Sequence, residues 1–154
     1  MTVALRPESP RDEPFIRRLI LETVAQELGA DAWPEPMRSH LLEIQYAARR
    51  QSHSANYPEA ASRVILADGS EAGWVVVTVL PHEVRLVEIM ILAQQRGKGI
   101  GTAVIRGVLA DAGAEGKPVR LHVNVTNHAA IRLYERLGFR RTAGNEVQHL
   151  MEAV

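Results

Sequence analysis

Apolar residues recur along this chain with two periods, and the period changes where the chain must turn. Phe15, Ile16, Leu19, Ile20, Val24 and Leu28 fall three and four residues apart, which places them on one stripe of a helix. Pro10 and Pro14 bracket its start near Asp12, and Gly29 is its stop. After a loop over 31–36, Met37, Leu41, Leu42, Ile44 and Tyr46 predict the apolar stripe of a second helix. Residues 51–61 lose that spacing and read as an irregular connection. The period then shortens. Val3–Arg6, Arg63–Ala67, Trp74–Leu80 and residues 84–93 read as strands, rich in β-branched residues. Asp68 and Gly69 form a hairpin-turn signal, and the near-continuous apolar run from Trp74 suits a strand covered on both faces. Helical spacing returns over Thr102–Ala114, alternation over Val119–Val125, and a short helix over Ala129–Leu137 that Gly138 stops. Phe139–Thr142 and Val147–Met151 read as the last strands. The order β α α β β β α β α β β describes an α/β (α+β) domain with a largely antiparallel first half. No linker or internal repeat divides it, so residues 1–154 are expected to form a single domain.

Composition narrows the chemistry. Eighteen Lys and Arg balance eighteen Asp and Glu, which disfavours a nucleic-acid binder that works through bulk charge. The chain has no cysteine, so disulfides, thiolate catalysis and zinc–thiolate sites are excluded. The six histidines show no metal-ligand spacing, and no metal is expected. No apolar stretch approaches the roughly 20 residues of a membrane span, and the start carries no long apolar leader segment. The expectation is a cytoplasmic protein without membrane contact.

The most informative stretch is Gln94, Gln95, Arg96, Gly97, Lys98, Gly99, Ile100, Gly101. It lies between a predicted strand and a predicted helix. A glycine-rich turn at a helix N-terminus exposes backbone N–H groups beside the positive end of the dipole, and so can hold a phosphate. Arg96 and Lys98 add formal charge. The loop is not a P-loop, which needs Gly-x-x-x-x-Gly-Lys-Ser/Thr. Nor is it a dinucleotide fingerprint, because Gly101 follows Gly99 by two positions rather than three.

A second run, Asn127 to Phe139, fixes the comparison. Gln94, Gly97 and Gly99, together with Asn127, Ala130, Leu133, Tyr134, Gly138 and Phe139, resemble the two motifs of the GNAT superfamily of acyl-CoA-dependent N-acyltransferases. The resemblance is sharp over roughly 73–142 and architectural before that. Ala93 departs from it, standing where many members have proline. The resemblance implies a GNAT fold: a mixed central sheet of about six to seven strands, splayed between the fourth and fifth, with about four helices around it. It implies acetyl-CoA as cofactor, with its pyrophosphate on the loop from Arg96 through Lys98, Ile100 and Gly101 to Thr102. The pantetheine arm would lie along Ile89, Met90 and Ile91 as an added strand, and Asn127 would reach the cofactor from the other side. Asn127 is equally suited to cap the following helix.

For catalysis, the resemblance makes Tyr134 the acid that protonates the leaving thiolate. The acceptor amine must first lose a proton, because an alkylammonium near pKa 10 is mostly protonated at neutral pH. Glu88 is the candidate base, an acid in an otherwise apolar run, with Arg85 or Arg120 as conceivable ion-pair partners. His122 and Asn124, on the polar face of the fifth strand, are further candidates. For the acceptor side, Trp33, Glu35, Gln45, Tyr46 and Tyr57 are available. The expected reaction is acetyl transfer to a primary amine of a small molecule or amino-acid-like acceptor, with a homodimer as the expected assembly. Acetylation of a protein N-terminus or lysine, or a non-catalytic acyl-CoA sensor, are the alternative readings.

Overall fold

The computed structural model describes residues 1–154. The strands are β1 (Val3–Pro7), β2 (Ala61–Ala67), β3 (Ser70–Val79), β4 (Val84–Ile91), β5 (Val119–Asn124), β6 (Arg140–Gly144) and β7 (Gln148–Ala153). The helices are α1 (Glu13–Leu28), α2 (Met37–Asn56), α3 (Ile100–Ala114) and α4 (His128–Arg136). The strands form one seven-stranded sheet in the order β1-β2-β3-β4-β5-β7-β6. Every neighbouring pair is antiparallel except β4 and β5. No helix is long and apolar enough to cross a membrane.

Two expectations change. Residues 51–56 are helical, because α2 continues to Asn56, and the connection shrinks to 57–60. The helical spacing does continue through this stretch, but in polar residues: Leu42 and Tyr46 are followed on the same face by Arg49 and His53. The apolar stripe of α2 is also narrower than expected. Leu42 and Tyr46 are buried, whereas Met37, Leu41 and Ile44 are exposed. The β2–β3 hairpin turns as its sequence predicts, with φ of 51° at Asp68 and 82° at Gly69, the left-handed pair that a two-residue turn requires.

The sheet separates two apolar cores. On one face Ile16, Leu19, Ile20 and Val24 of α1, with Leu42 and Tyr46 of α2, meet Trp74, Val76, Met90 and Leu92. On the other face Val104, Ile105, Val108 and Ala112 of α3, with Tyr134 of α4, meet Val75, Leu86, Val119, Leu121, Val123 and Met151. Burying each of these large side chains stabilises the fold by about 1.5–3 kcal/mol.

Strand β4 changes phase midway. Val76 stands opposite Glu88 and Val77 opposite Leu86, so Val87 has no partner. This β-bulge bends the strand and shifts its alternation by one residue. Val84 and Leu86, then Ile89 and Ile91, face the α3 side. Val87 and Met90 face the α1–α2 side, and Glu88 joins them there. Beyond the bulge β4 leaves β5. Their parallel pairing covers only Val84 with Val119 and Arg85 with Arg120, and past these residues the strands part into a wedge.

Gly73 lets β3 approach β4 where the wedge opens. A Cβ built there would lie 2.3 Å from the Met90 carbonyl oxygen, a backbone atom that cannot rotate away. Gly73→Ala is therefore expected to lower stability by about 1–3 kcal/mol. Urea denaturation checks this as a lower midpoint at unchanged slope.

Candidate active site

The glycine loop follows β4 and starts α3. Its root is tied to α1 from two directions. The Ala93 N–H donates to the Glu22 carboxylate at 2.8 Å. Arg96 donates through Nε to the Ile91 carbonyl at 3.1 Å and through Nη1 to Gln26 Oε1. The Arg96 guanidinium thus anchors the loop through two of its nitrogens, and Lys98 rests on Gln95 at 3.2 Å. Gly97 and Gly99 adopt left-handed φ of 77° and 84°, where side chains are strained. Buried Ile100 seats the helix start. From Gly97 through Thr102 no backbone N–H donates within the protein. A run of free N–H groups at the positive end of a helix is suited to hold a polyanion. A Cβ at Gly97 or Gly99 would meet nothing within 4 Å, so the space above the loop is open to a ligand. Gln94 is exposed beside it.

The wedge gives β4 a free edge. Beyond Arg85 its Ile89, Met90 and Ile91 have no strand partner on the β5 side, an edge that can accept an extended arm as an added strand. Asn127 caps α4, its side-chain oxygen accepting from the Ala130 N–H at 3.2 Å. Tyr134 is buried, its ring 5.6 Å from that of Phe139. Desolvation first, and then the nearby negative charge of Glu88, push its phenol up to about 12. The charge of Glu88 therefore reaches Tyr134, although the two stand on opposite faces of the sheet.

Glu88 does not pair with Arg85 or Arg120. Its carboxylate faces α2, with His53 Nε2 at 3.4 Å and Arg49 Nε at 3.8 Å. Arg49 also reaches Glu27 of α1 at 3.5 Å. His53 packs on Trp74 at 5.7 Å between ring centroids, and its Nδ1 is buried with no partner. Sequence reasoning missed Arg49 and His53. The signal was the continuation of the 42–46–49–53 spacing into residues read as a loop.

Arg85 and Arg120 instead share Glu83, at 2.9 and 3.2 Å, and Arg120 also binds Glu152 at 2.7 Å. Burial works to raise the Glu83 carboxyl, but the two guanidinium groups outweigh it and hold it below the usual carboxylate range. His122 Nδ1 lies 3.0 Å from Arg85 Nη1. Partial desolvation, then the Arg85 charge, lower the His122 pKa against the opposing pull of Glu83. Asn124 Oδ1 accepts from Gln148 at 3.4 Å.

The remaining acceptor-side candidates are scattered. Tyr46 is buried in the α1–α2 core beneath Arg17, whose guanidinium lies 5.3 Å from the ring centre. Trp33 packs on that same core. Tyr57 is half-buried at the end of α2, and Gln45 is exposed. Glu35 binds Ser39 at 2.6 Å. A cavity of about 750 Å³ opens between α1, α2 and Ala93, lined in part by Arg17, Glu22, Gln26, Asp31 and Glu43. None of Glu88, His53 or Tyr134 lines it.

A sequence model described as the Acetyltransferase (GNAT) family matches residues 21–139. No curated protein matches the chain. Among solved structures, the chain is similar to the PaiA N-acetyltransferase of Thermoplasma acidophilum in complex with coenzyme A. The identity is 16%, over 99% of both chains, with a TM-score of 0.76. It is similar to a spermidine N-acetyltransferase chimera from Vibrio cholerae and hSSAT, at 20% identity over 100% of this chain and 96% of that one, with a TM-score of 0.67. A ribosomal-protein alanine N-acetyltransferase from Escherichia coli has 19% identity over 99% and 93%, with a TM-score of 0.65. At these identities the structures share the fold.

The electrostatic link between the two faces is measurable. An anion near a phenol disfavours phenolate, so Glu88→Gln removes one of the two causes of the raised Tyr134 pKa. The phenol should then titrate below about 12 yet above its ordinary value, because desolvation remains. Ultraviolet titration of tyrosinate, with Tyr134→Phe as the subtraction, checks this.

Proposed function

The chain belongs to the acetyltransferase (GNAT) family, and from that premise we propose that it transfers an acetyl group from acetyl-CoA to a primary amine of a small molecule or amino-acid-like acceptor. The observation that carries this reading is the free N–H run from Gly97 to Thr102, set beside a strand edge that has lost its neighbour. One feature suits a pyrophosphate and the other an extended amide-bearing arm, and coenzyme A contains both. Residues 97–102 would hold the pyrophosphate through main-chain donors, and Ile89, Met90 and Ile91 would hold the arm through main-chain bonds. Arg96 would contribute by fixing the loop rather than by direct charge. Asn127 would add its side-chain NH₂, since its oxygen is already engaged in the cap. Bound there, acetyl-CoA supplies an acyl group activated as a thioester.

The protein's part is proton traffic. Glu88 takes the proton from the acceptor ammonium, directly or through water, while His53 and Arg49 orient its carboxylate. Tyr134 holds its proton at every working pH because its phenol is pushed up to about 12. It therefore acts as a donor and leaves the base role to Glu88. A phenol this weakly acidic first hydrogen-bonds the departing sulfur and releases its proton only as negative charge builds there.

Three variants test this reading. Gly99→Asp adds a carboxylate to the cradle at a left-handed residue, while Gly99→Asn carries the same backbone cost without the charge. Calorimetric titration with acetyl-CoA should show binding abolished in the first and weakened in the second, and equal affinities for Gly99→Asp and wild type would sink the loop assignment. Tyr134→Phe should lower kcat by about 10²-fold with little change in KM for acetyl-CoA. An unchanged kcat would remove Tyr134 from the acid role.

A further inference from the structure

On the α1–α2 side of the sheet the helices stop at β4: the apolar core there contains nothing from β5 or β7. The outward residues of β5 are Arg120, His122 and Asn124, alternating with buried Leu121 and Val123. They form the open wall of the wedge, and Glu88, turned onto the same side by the bulge, stands on the other strand.

The charges on this wall cancel. Glu83 bridges Arg85 and Arg120, and Glu152 completes the ladder. What remains free is neutral. A guanidinium has no acceptor atom, so in the 3.0 Å contact with Arg85 the His122 Nδ1 must accept. Its ring proton is thereby placed on Nε2. The ring is exposed, which leaves Nε2–H as a donor to the groove. Two positions along, Asn124 spends its oxygen on Gln148 and keeps its NH₂. One wall therefore offers the Glu88 carboxylate as acceptor, backed by Arg49 and His53 of α2, and the other offers uncharged N–H donors.

We propose that His122 and Asn124 are specificity-determining residues that select acceptors bearing an amide carbonyl on the carbon next to the reactive amine. This deepens, and rests on, the acetyltransferase reading above. The amine of such a molecule faces Glu88 and its carbonyl oxygen accepts from β5. A polyamine would set N–H against N–H at this wall. A free carboxylate would find no unpaired cation there. The same chemistry occurs in small aminoacyl amides and at peptide N-termini.

The test compares kcat/KM for alaninamide, an alanine-started tripeptide, free alanine, spermidine and sec-butylamine, the last keeping the branched amine but lacking the carbonyl. Each is run with wild type, His122→Ala, His122→Gln and Asn124→Ala. Comparing ratios between variants cancels differences in amine basicity. The alaninamide to sec-butylamine ratio should fall about 3–10-fold in His122→Ala, the scale of one lost neutral hydrogen bond. It should recover in His122→Gln, which restores an N–H, and fall again in Asn124→Ala, with the Kd for acetyl-CoA unchanged throughout. Turnover of the tripeptide assigns the peptide source, and turnover of alaninamide alone assigns the small-molecule source. The same ratio in all four proteins overturns the proposal, as does turnover of spermidine or sec-butylamine without that of either amide. No transfer to any amine, with acetyl-CoA binding intact, overturns the acetyltransferase reading and this proposal with it.

Discussion

Two residue pairs hold this sheet together at its centre. Val84 with Val119 and Arg85 with Arg120 are the whole of the parallel contact between β4 and β5, and the second pair sets two guanidinium groups side by side. Like charges in register across two strands repel. Glu83 turns that repulsion into a clamp by binding both arginines, and Glu152 holds Arg120 from the far side. The wedge can open on one side of this junction because the junction itself is pinned by charge rather than by a long ladder.

The course of β4 beyond the junction depends on that pin. The strand is fixed at its start and fully paired with β3, so its bulge at Val87 bends the free half away from β5. The same bulge places Val87 and Glu88 on one face in succession, which aims the carboxylate at α2. Tyr134 remains on the opposite face with α4, yet the charge of Glu88 reaches its phenol. A single unpaired residue thus sets both the shape of the groove and the position of its acid.

The sequence made the proposed cofactor seat legible and hid much of the proposed acceptor side, for physical reasons. Gly97, Gly99, Asn127 and Tyr134 are legible because their tasks are local. A left-handed φ, a helix cap and a fixed helical offset each depend on a few neighbouring residues. Arg49 and His53 act through long-range contact with Glu88, and their helix hides its inward face behind polar residues, so hydrophobic spacing fell silent there. The bulge was illegible because the apolar run Leu86, Val87, then Ile89 to Leu92 reads equally well in either phase. Residue type alone did not place Tyr46 and Trp33; packing buries Tyr46 in the core and sets the half-buried Trp33 against it. Charge alone did not show that Arg96 also ties the loop to Ile91 and Gln26, a contact that depends on the fold.

The tethers from α1 to the loop have a consequence for how such a protein changes over time. Main-chain donors recognise a phosphate whatever side chains surround them, so the cradle constrains sequence at few positions. The proposed acceptor side, built on α1 and α2, sits on a separate apolar core and meets the loop through Glu22 at Ala93 and Gln26 at Arg96. On the proposed reading, helices α1 and α2 can be resculpted for a new acceptor while the cofactor seat persists, provided those two polar ties survive.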